Sequence, residues 1–344
     1  MRAASFPGRI DQGWRMNIAV LGAGAWGTAM AIHLARCHAV TLWARDAVQC
    51  ETMRVSRVNE RYLPQHAVPP EVRITSELSE ALSCDLVLVA VPTGAMRETL
   101  RRIEALRWHG GVIWLCKGFE PHTGKLPHQV CEEVRGRALP HGVLSGPSFA
   151  DEVARGLPTA VTIAASDVAF ASETARALHG GSLRVYCGED VVGMEVAGAL
   201  KNVMAIAAGI CDGLALGHNA RAALITRGLA EIMRLGTRMG GRAETFMGLA
   251  GLGDLILTCT GDLSRNRRVG LRLGRGEALS AILGELGHVA EGVNTAREVD
   301  RLAGTLGVDM PITRAVCRVL DDPTAGRAVV QELLQREPKF EHGR

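Results

Sequence analysis

The chain has 344 residues, of which 47% are hydrophobic and 22% charged, with a formal net charge of +3. These proportions describe an ordinary globular protein of two domains, or three, with ample apolar material for a core. The charge is too small and the arginines too scattered to argue for nucleic acid, and nine cysteines without a Cys-x-x-Cys pair fit a reducing cytosol better than a disulfide framework.

Residues 1–15 carry Arg2, Arg9 and Arg15 but no apolar run, so they do not read as a signal peptide. They are expected to form a disordered extension, with Met16 close to the functional start. Asn17–Leu21 then reads as a strand, and the glycine-rich turn Gly22-Ala23-Gly24-Ala25-Trp26-Gly27 opens a helix over Ala25–Arg36. Further strand-like runs follow at Val40–Trp43, Leu86–Val91, Val112–Cys116, Gly142–Leu144, Ala160–Ala164 and Leu183–Tyr186. Segments of helical length, such as Thr93–Leu106 and Val168–His179, lie between them. This alternation predicts an α/β, Rossmann-like domain with a mostly parallel sheet over residues 16–190.

Beyond residue 190 the strand-like runs stop. Val191–Cys211, Ala220–Met239, Thr295–Leu306 and Ile312–Leu320 read as helices, which predicts an all-α, substrate-binding domain over 191–344. In Ala220–Met239, Leu224, Gly228, Ile232 and Leu235 fall near one face, with Arg221, Glu231 and Arg238 distributed around it. Val191–Cys211 is long enough to cross a membrane. Glu195, Lys201, Asn202 and three glycines make it a buried core helix instead, so the protein is not expected to be membrane-embedded.

Gly22-x-Gly24-x-x-Gly27 is weak evidence alone, but between a strand and a helix it is in the context that dinucleotide binding requires. The first glycine allows the tight turn, the second lets a pyrophosphate approach the backbone, and the third lets helix and strand pack closely. Helix N–H groups then hold the anion. At the end of the second strand stands Arg45, with Asp46 after it. Arg45 is either a surface residue or a partner for a 2′-phosphate or the adenine, the latter favouring NADP or dual use.

Only four of the 39 basic residues are lysine: Lys117, Lys125, Lys201 and Lys339. Arginine keeps its proton at any ordinary pH, whereas a buried lysine can lose and regain one. Lys201 shares its apolar helix with Glu195 as the only other charge, which makes it the candidate acid–base residue; the alternative is a lysine that snorkels to solvent. Lys117, in Cys116-Lys117-Gly118, and the turn Ser145-Gly146-Pro147-Ser148 both follow strands, where open α/β sheets bind ligands. Ser148 is also placed to cap the helix that follows it. Ser264 as an N-cap, with Arg265 and Asn266 in the first turn, suits a phosphate, although a solvated helix face or a nucleic-acid patch is the competing reading. No His/Cys/Asp cluster has ligand spacing, so no metal is expected.

Taken together, GAGAWGTA at 22–29, CKGF at 116–119, SGPSFADEVARGLPTA at 145–160, EVAGALKNV at 195–203, NARAALITRGLAE at 219–231, GLAGLGDLILTCTGDLSRNRR at 248–268 and AEGVNT at 290–295 closely resemble the bacterial-type NAD(P)-dependent glycerol-3-phosphate dehydrogenases. The resemblance spans about residues 16 to 320. It implies Lys201 as general acid–base residue. It also implies a substrate site of Lys117, Gly146, Ser148, Lys201, Asn202, Asp254, Ser264, Arg265 and Asn266. For NADP or NAD it implies Gly22, Gly24, Ala25, Trp26, Gly27, Arg45, Lys117, Ala150, Arg265, Val289 and Glu291. Ala25 stands where the family often has serine, which removes a side-chain contact to phosphate but not the backbone one. A small phosphorylated substrate bound between the domains, a cytoplasmic location and a homodimer are the further expectations. Another two-domain dehydrogenase, acting on 6-phosphogluconate or 3-hydroxyisobutyrate, and a non-enzymatic dinucleotide sensor are the competing readings.

Overall fold

The computed structural model describes residues 15–286 and 291–337. The expected disordered extension, apart from Arg15, and the cofactor contact at Val289 lie outside the described residues. The strands are β1 (Asn17–Leu21), β2 (Ala39–Trp43), β3 (Val58–Asn59), β4 (Leu63–Ala67), β5 (Arg73–Thr75), β6 (Leu86–Val89), β7 (Gly111–Trp114), β8 (His141–Ser145), β9 (Thr159–Ala165) and β10 (Leu183–Gly188). Eight of them form one sheet in the order β10-β9-β8-β7-β6-β1-β2-β5, and β3 pairs with β4 as a separate antiparallel hairpin. Every pairing in the large sheet is parallel except β8 with β9.

The apolar runs of the sequence follow from this arrangement, because a parallel sheet is covered on both faces. In β1, Ile18 and Val20 enter one buried cluster with Leu42, Leu86 and Leu144, while Ala19 and Leu21 enter another with Val87, Val89 and Trp114. The chain runs from β1 outward to β2, then returns to lay β6 on the other side of β1. Ligands of such sheets bind beyond the carboxyl ends of the strands where the order reverses. The turn after β1 is therefore the first place to look for a site.

The chain forms two compact units. The first holds the described residues up to Gly198 together with Met239–Asp254; the second holds Ala199–Arg238 and the described residues from Leu255 onward. The re-entry of Met239–Asp254 into the first unit is not expressed by a single division near residue 190. Every regular element of the second unit among its described residues is a helix, as expected. Its first helix is the continuation of Val191–Gly213, a 23-residue helix long and apolar enough by composition to cross a membrane, of whose most apolar window 89% is buried. It is a core helix.

The helix Gly217–Arg238 buries Gly228, Ile232 and Leu235, on the face that the spacing predicts. Glu231 is also buried, only 2% exposed. Its carboxyl accepts from the backbone N–H groups of Ile312 at 2.6 Å and Thr313 at 3.2 Å, at the start of the helix Pro311–Asp321. A helix start has donors without intrahelical partners, and Glu231 supplies an acceptor for two of them. Burial pushes the Glu231 carboxyl up to about 7 despite those bonds. The folded state thus holds this proton where the unfolded chain has released it, and stability falls as pH rises from about 4.3 to 7. A Glu231→Gln variant lacks this loss. Its advantage over the wild type in unfolding free energy, read from urea denaturation, is expected to grow from pH 5 to about pH 7, by at most roughly 1.4 kcal/mol per pH unit, and to level off above that. A pH-independent difference between the two proteins would contradict it.

Candidate active site

In the first unit, the β1 turn is built around close backbone packing. Gly22 has φ +122°, and any β-carbon there would lie 2.7 Å from the Ala90 carbonyl carbon and oxygen. A β-carbon on Gly27 would lie 2.0 Å from the Gly22 oxygen. Both positions exclude larger residues, and the helix Ala25–Leu34 is thereby held against the strand end. Gly24, the N-cap of that helix, brings no side-chain cap, and a β-carbon on it would meet nothing within 4 Å. The helix start thus presents backbone N–H groups beside open space, which fits an anion and an approaching pyrophosphate. Ala25 and Trp26 pack with Ala150 in one apolar cluster.

Arg45 is exposed just beyond β2. Asp46 is committed elsewhere: its carboxylate caps the helix Ala47–Ser56, accepting from Val48 N at 2.9 Å and Gln49 N at 3.3 Å.

Lys117 follows β7, and its ammonium donates to Asp254 Oδ2 at 2.5 Å, with side-chain exposures of 16% and 1%. Asp254 is delivered by a π-helical turn, Leu249–Gly253, a rare geometry that recurs at functional sites. Gly253 packs against Pro147, so the Gly146–Ser148 turn lies beside the Asp254 turn. Ser148 does not cap the following helix. Its hydroxyl donates to the Gly146 carbonyl at 2.9 Å, and the N-cap is Phe149, because the turn folds the short side chain back on itself. Glu195 is partnered in this unit, accepting from His128 N at 2.8 Å and meeting His128 Nδ1 at 2.5 Å.

In the second unit, Lys201 is 8% exposed and Asn202 6%. The Lys201 ammonium donates to the Thr258 hydroxyl at 2.9 Å, so it is buried and does not snorkel. Ser264 caps the helix Arg265–Gly274, accepting from Arg267 N at 3.2 Å. The three arginines of that helix start are sorted by their neighbours. Arg267 is held by Asp212 at 2.8 Å and Asp262 at 2.7 Å, while Arg265 and Arg268 are exposed. Asn266 Oδ1 accepts from Gly292 N at 3.2 Å, next to Glu291. Two glycines set the spacing of this group. A β-carbon on Gly209 would lie 2.0 Å from the Arg267 oxygen, and one on Gly270 would lie 2.0 Å from the Ile206 oxygen. The Lys201 helix and the Arg265 helix therefore cross in direct backbone contact.

The structure thus groups the expected residues by unit. Gly22, Gly24, Ala25, Trp26, Gly27 and Ala150 lie at one helix start, and Lys117, Gly146, Ser148 and Asp254 lie around the π turn. Lys201, Asn202, Ser264, Arg265, Asn266 and Glu291 belong to the second unit. Sequence reasoning missed Thr258, although it stands four residues after Asp254 in one helix, a spacing that returns to the same face. It also missed Asn59 and Gln49, which lie in polar segments without a motif.

A doubly wound sheet with a glycine-rich turn at its switch point, joined to a helical unit carrying a buried lysine, defines the class as a dinucleotide-binding α/β protein of dehydrogenase type. The family model of the NAD-dependent glycerol-3-phosphate dehydrogenase N-terminus matches residues 17–171, and that of the C-terminus matches residues 190–331. The chain belongs to the NAD-dependent glycerol-3-phosphate dehydrogenase family. It is 58% identical over 331 residues to glycerol-3-phosphate dehydrogenase (NAD(P)+) of Nitrosospira multiformis, covering 95% of this chain and 99% of that protein. The corresponding protein of Thiobacillus denitrificans is 57% identical over 327 residues, covering 95% of this chain and 100% of its own. A crystal structure of glycerol-3-phosphate dehydrogenase from Coxiella burnetii superposes with a TM-score of 0.89 at 43% identity, covering 94% of this chain and 99% of that one.

The Lys117–Asp254 pair makes a stability prediction. Removing the ammonium leaves a carboxylate that is 1% exposed without this cation. Lys117→Met is expected to cost near the lower end of the roughly 3–5 kcal/mol seen when one partner of a buried pair is removed, and Lys117→Met/Asp254→Asn is expected to recover part of it. Urea unfolding of the single and double variants reads this directly. Equal stabilities of Lys117→Met and wild type would show that the pair is not coupled.

Proposed function

We propose that this protein is a cytoplasmic NAD(P)-dependent sn-glycerol-3-phosphate dehydrogenase that reversibly reduces dihydroxyacetone phosphate to sn-glycerol 3-phosphate, supplying glycerol phosphate for phospholipid synthesis. The observation that carries the reading is Lys201: a lysine in an arginine-rich chain, buried in an apolar helix and held by a hydroxyl.

The helix start at Gly24–Gly27 holds the dinucleotide pyrophosphate through backbone N–H groups, and Arg45 serves the adenosine end. When bound, the nicotinamide ring supplies or accepts the hydride. Lys201 gives a proton to the ketone oxygen as the carbonyl is reduced and takes the hydroxyl proton in the reverse direction; solvent restores its charge. Thr258 fixes the position of the ammonium. Lys117, held by Asp254, adds a fixed positive charge that favours the developing oxyanion. Arg265, with Asn266 and the helix start at Ser264, binds the substrate phosphate, for which a permanent charge is the better choice. A homodimer is the default symmetric assembly in this reading.

The test is the initial rate of NADH and NADPH oxidation with dihydroxyacetone phosphate, for the wild type and two variants. Lys201→Arg keeps the charge but cannot exchange a proton, and is expected to lose about 10²–10⁴-fold in turnover while still binding dinucleotide. Arg45→Ala is expected to lower the preference for NADPH over NADH. Near-normal turnover in Lys201→Arg would remove the lysine from the chemistry. Turnover of 6-phosphogluconate or 3-hydroxyisobutyrate in place of dihydroxyacetone phosphate would overturn the substrate.

A further inference from the structure

The β3–β4 hairpin lies outside the main sheet, and the mechanism above makes no use of it. It is nevertheless fastened to the glycine-rich turn. Asn59, in β3 and 1% exposed, donates through its amide nitrogen to the Ala23 carbonyl at 3.0 Å and to the Thr28 hydroxyl at 2.8 Å. Gln49 Nε2, from the helix Ala47–Ser56, donates to the same Ala23 carbonyl at 2.9 Å. A carbonyl can only accept, so the amide atoms facing it must be the nitrogens. Leu63, in β4, packs in the cluster that contains Trp26 and Ala150, and His66 Nε2 meets Asp151 Oδ1 at 2.7 Å.

Two side-chain donors from different elements thus converge on one carbonyl inside the Gly22–Gly27 turn. The Ala23 carbonyl and the Gly24 N–H belong to one planar trans peptide and point in opposite directions. Fixing the carbonyl fixes the N–H, which is directed away from the clamp on a residue beside open space. Donation to the carbonyl also polarises the peptide and strengthens its N–H as a donor. The arrangement has a cost: Asn59 Oδ1 is buried without a hydrogen-bond partner. The two bonds that the amide nitrogen donates, to the Ala23 carbonyl and the Thr28 hydroxyl, offset that cost.

We propose that Asn59 and Gln49 form an amide clamp on the Ala23 carbonyl that holds the Gly24 N–H toward the dinucleotide pyrophosphate, which makes the β3–β4 hairpin a positioning element for cofactor binding. The inference rests on the dehydrogenase reading above. Neither side chain is catalytic; both act through the peptide they hold.

The experiment measures the NADPH dissociation constant by tryptophan-fluorescence titration without second substrate, alongside KM, kcat and thermal stability, for wild type, Asn59→Ala, Gln49→Ala and the double variant. Asn59→Ala is expected to raise the dissociation constant and the dinucleotide KM about tenfold, with kcat at saturating dinucleotide and the KM for dihydroxyacetone phosphate within about twofold. Gln49→Ala, a half-buried side chain outside the hairpin, is expected to shift the same constants in the same direction, and the two effects should be non-additive because they share one acceptor. Should Asn59→Ala fail to fold, Gln49→Ala alone decides. An unchanged dissociation constant in the folded variants, with only melting temperature lowered, would reduce the clamp to scaffold. Absence of NADPH binding by the wild type would overturn the dehydrogenase reading and the clamp with it.

Discussion

A carboxylate and an ammonium on a long apolar helix must each find a partner, because an unpaired buried charge costs far more than the helix gains by forming. Much of the architecture around Val191–Gly213 answers that constraint. Glu195 is satisfied inside the first unit by the backbone and ring of His128. Lys201 is satisfied inside the second by Thr258. The partners differ in kind: Glu195 accepts from a backbone N–H and meets an imidazole nitrogen, whereas Lys201 donates to a hydroxyl. In the proposed reading the Lys201 ammonium gives a proton to a substrate oxygen, which an arginine in the same place would not release.

The packing of the second unit serves the same end. Gly209 and Gly270 let two helices cross at backbone contact, which ties the Ser264–Asn266 helix start to the helix that carries Lys201 and Asn202. The Ser264–Asn266 helix start and Lys201 are thereby spaced by backbone, which is stiffer than side chains. Arg267, the arginine nearest the middle of the RNRR run, is taken up by Asp212 and Asp262, so the run is part ion-pair network and part exposed charge.

What was legible in the sequence divides along physical lines. The strands β1, β6, β7 and β8 could be read because burial on both faces leaves mostly apolar runs, and β2, β9 and β10 because enough apolar residues remain in their half-buried runs. Gly22, Gly24 and Gly27 could be read because the turn admits no other residue at two of those positions. Lys201 could be read because lysine is scarce and its surroundings are apolar. β3, β4 and β5 could not, being short, partly polar and, in β4, interrupted by Pro64. Partners across long sequence separations were equally hidden: nothing local to Glu231 says that it caps a helix 81 residues away, and nothing local to Asn59 points to Ala23. Ser148 shows the converse, where local spacing suggested a cap and the turn used the hydroxyl for itself.

The choice of dinucleotide turns on what Asp46 is doing. At the end of the second strand of such sheets an acidic residue selects against a 2′-phosphate when its carboxylate faces the ribose. Here the carboxylate is drawn onto the backbone N–H groups of Val48 and Gln49, where it compensates the start of the Ala47–Ser56 helix. A carboxylate so engaged is partly neutralised by the helix start, and Arg45 stands exposed beside it. The local field at the strand end therefore favours an added phosphate without excluding its absence. In the proposed reading this accounts for dual use of NADP and NAD. It also links the two ends of cofactor recognition, because the helix that Asp46 caps is the one that carries Gln49 to the Ala23 carbonyl.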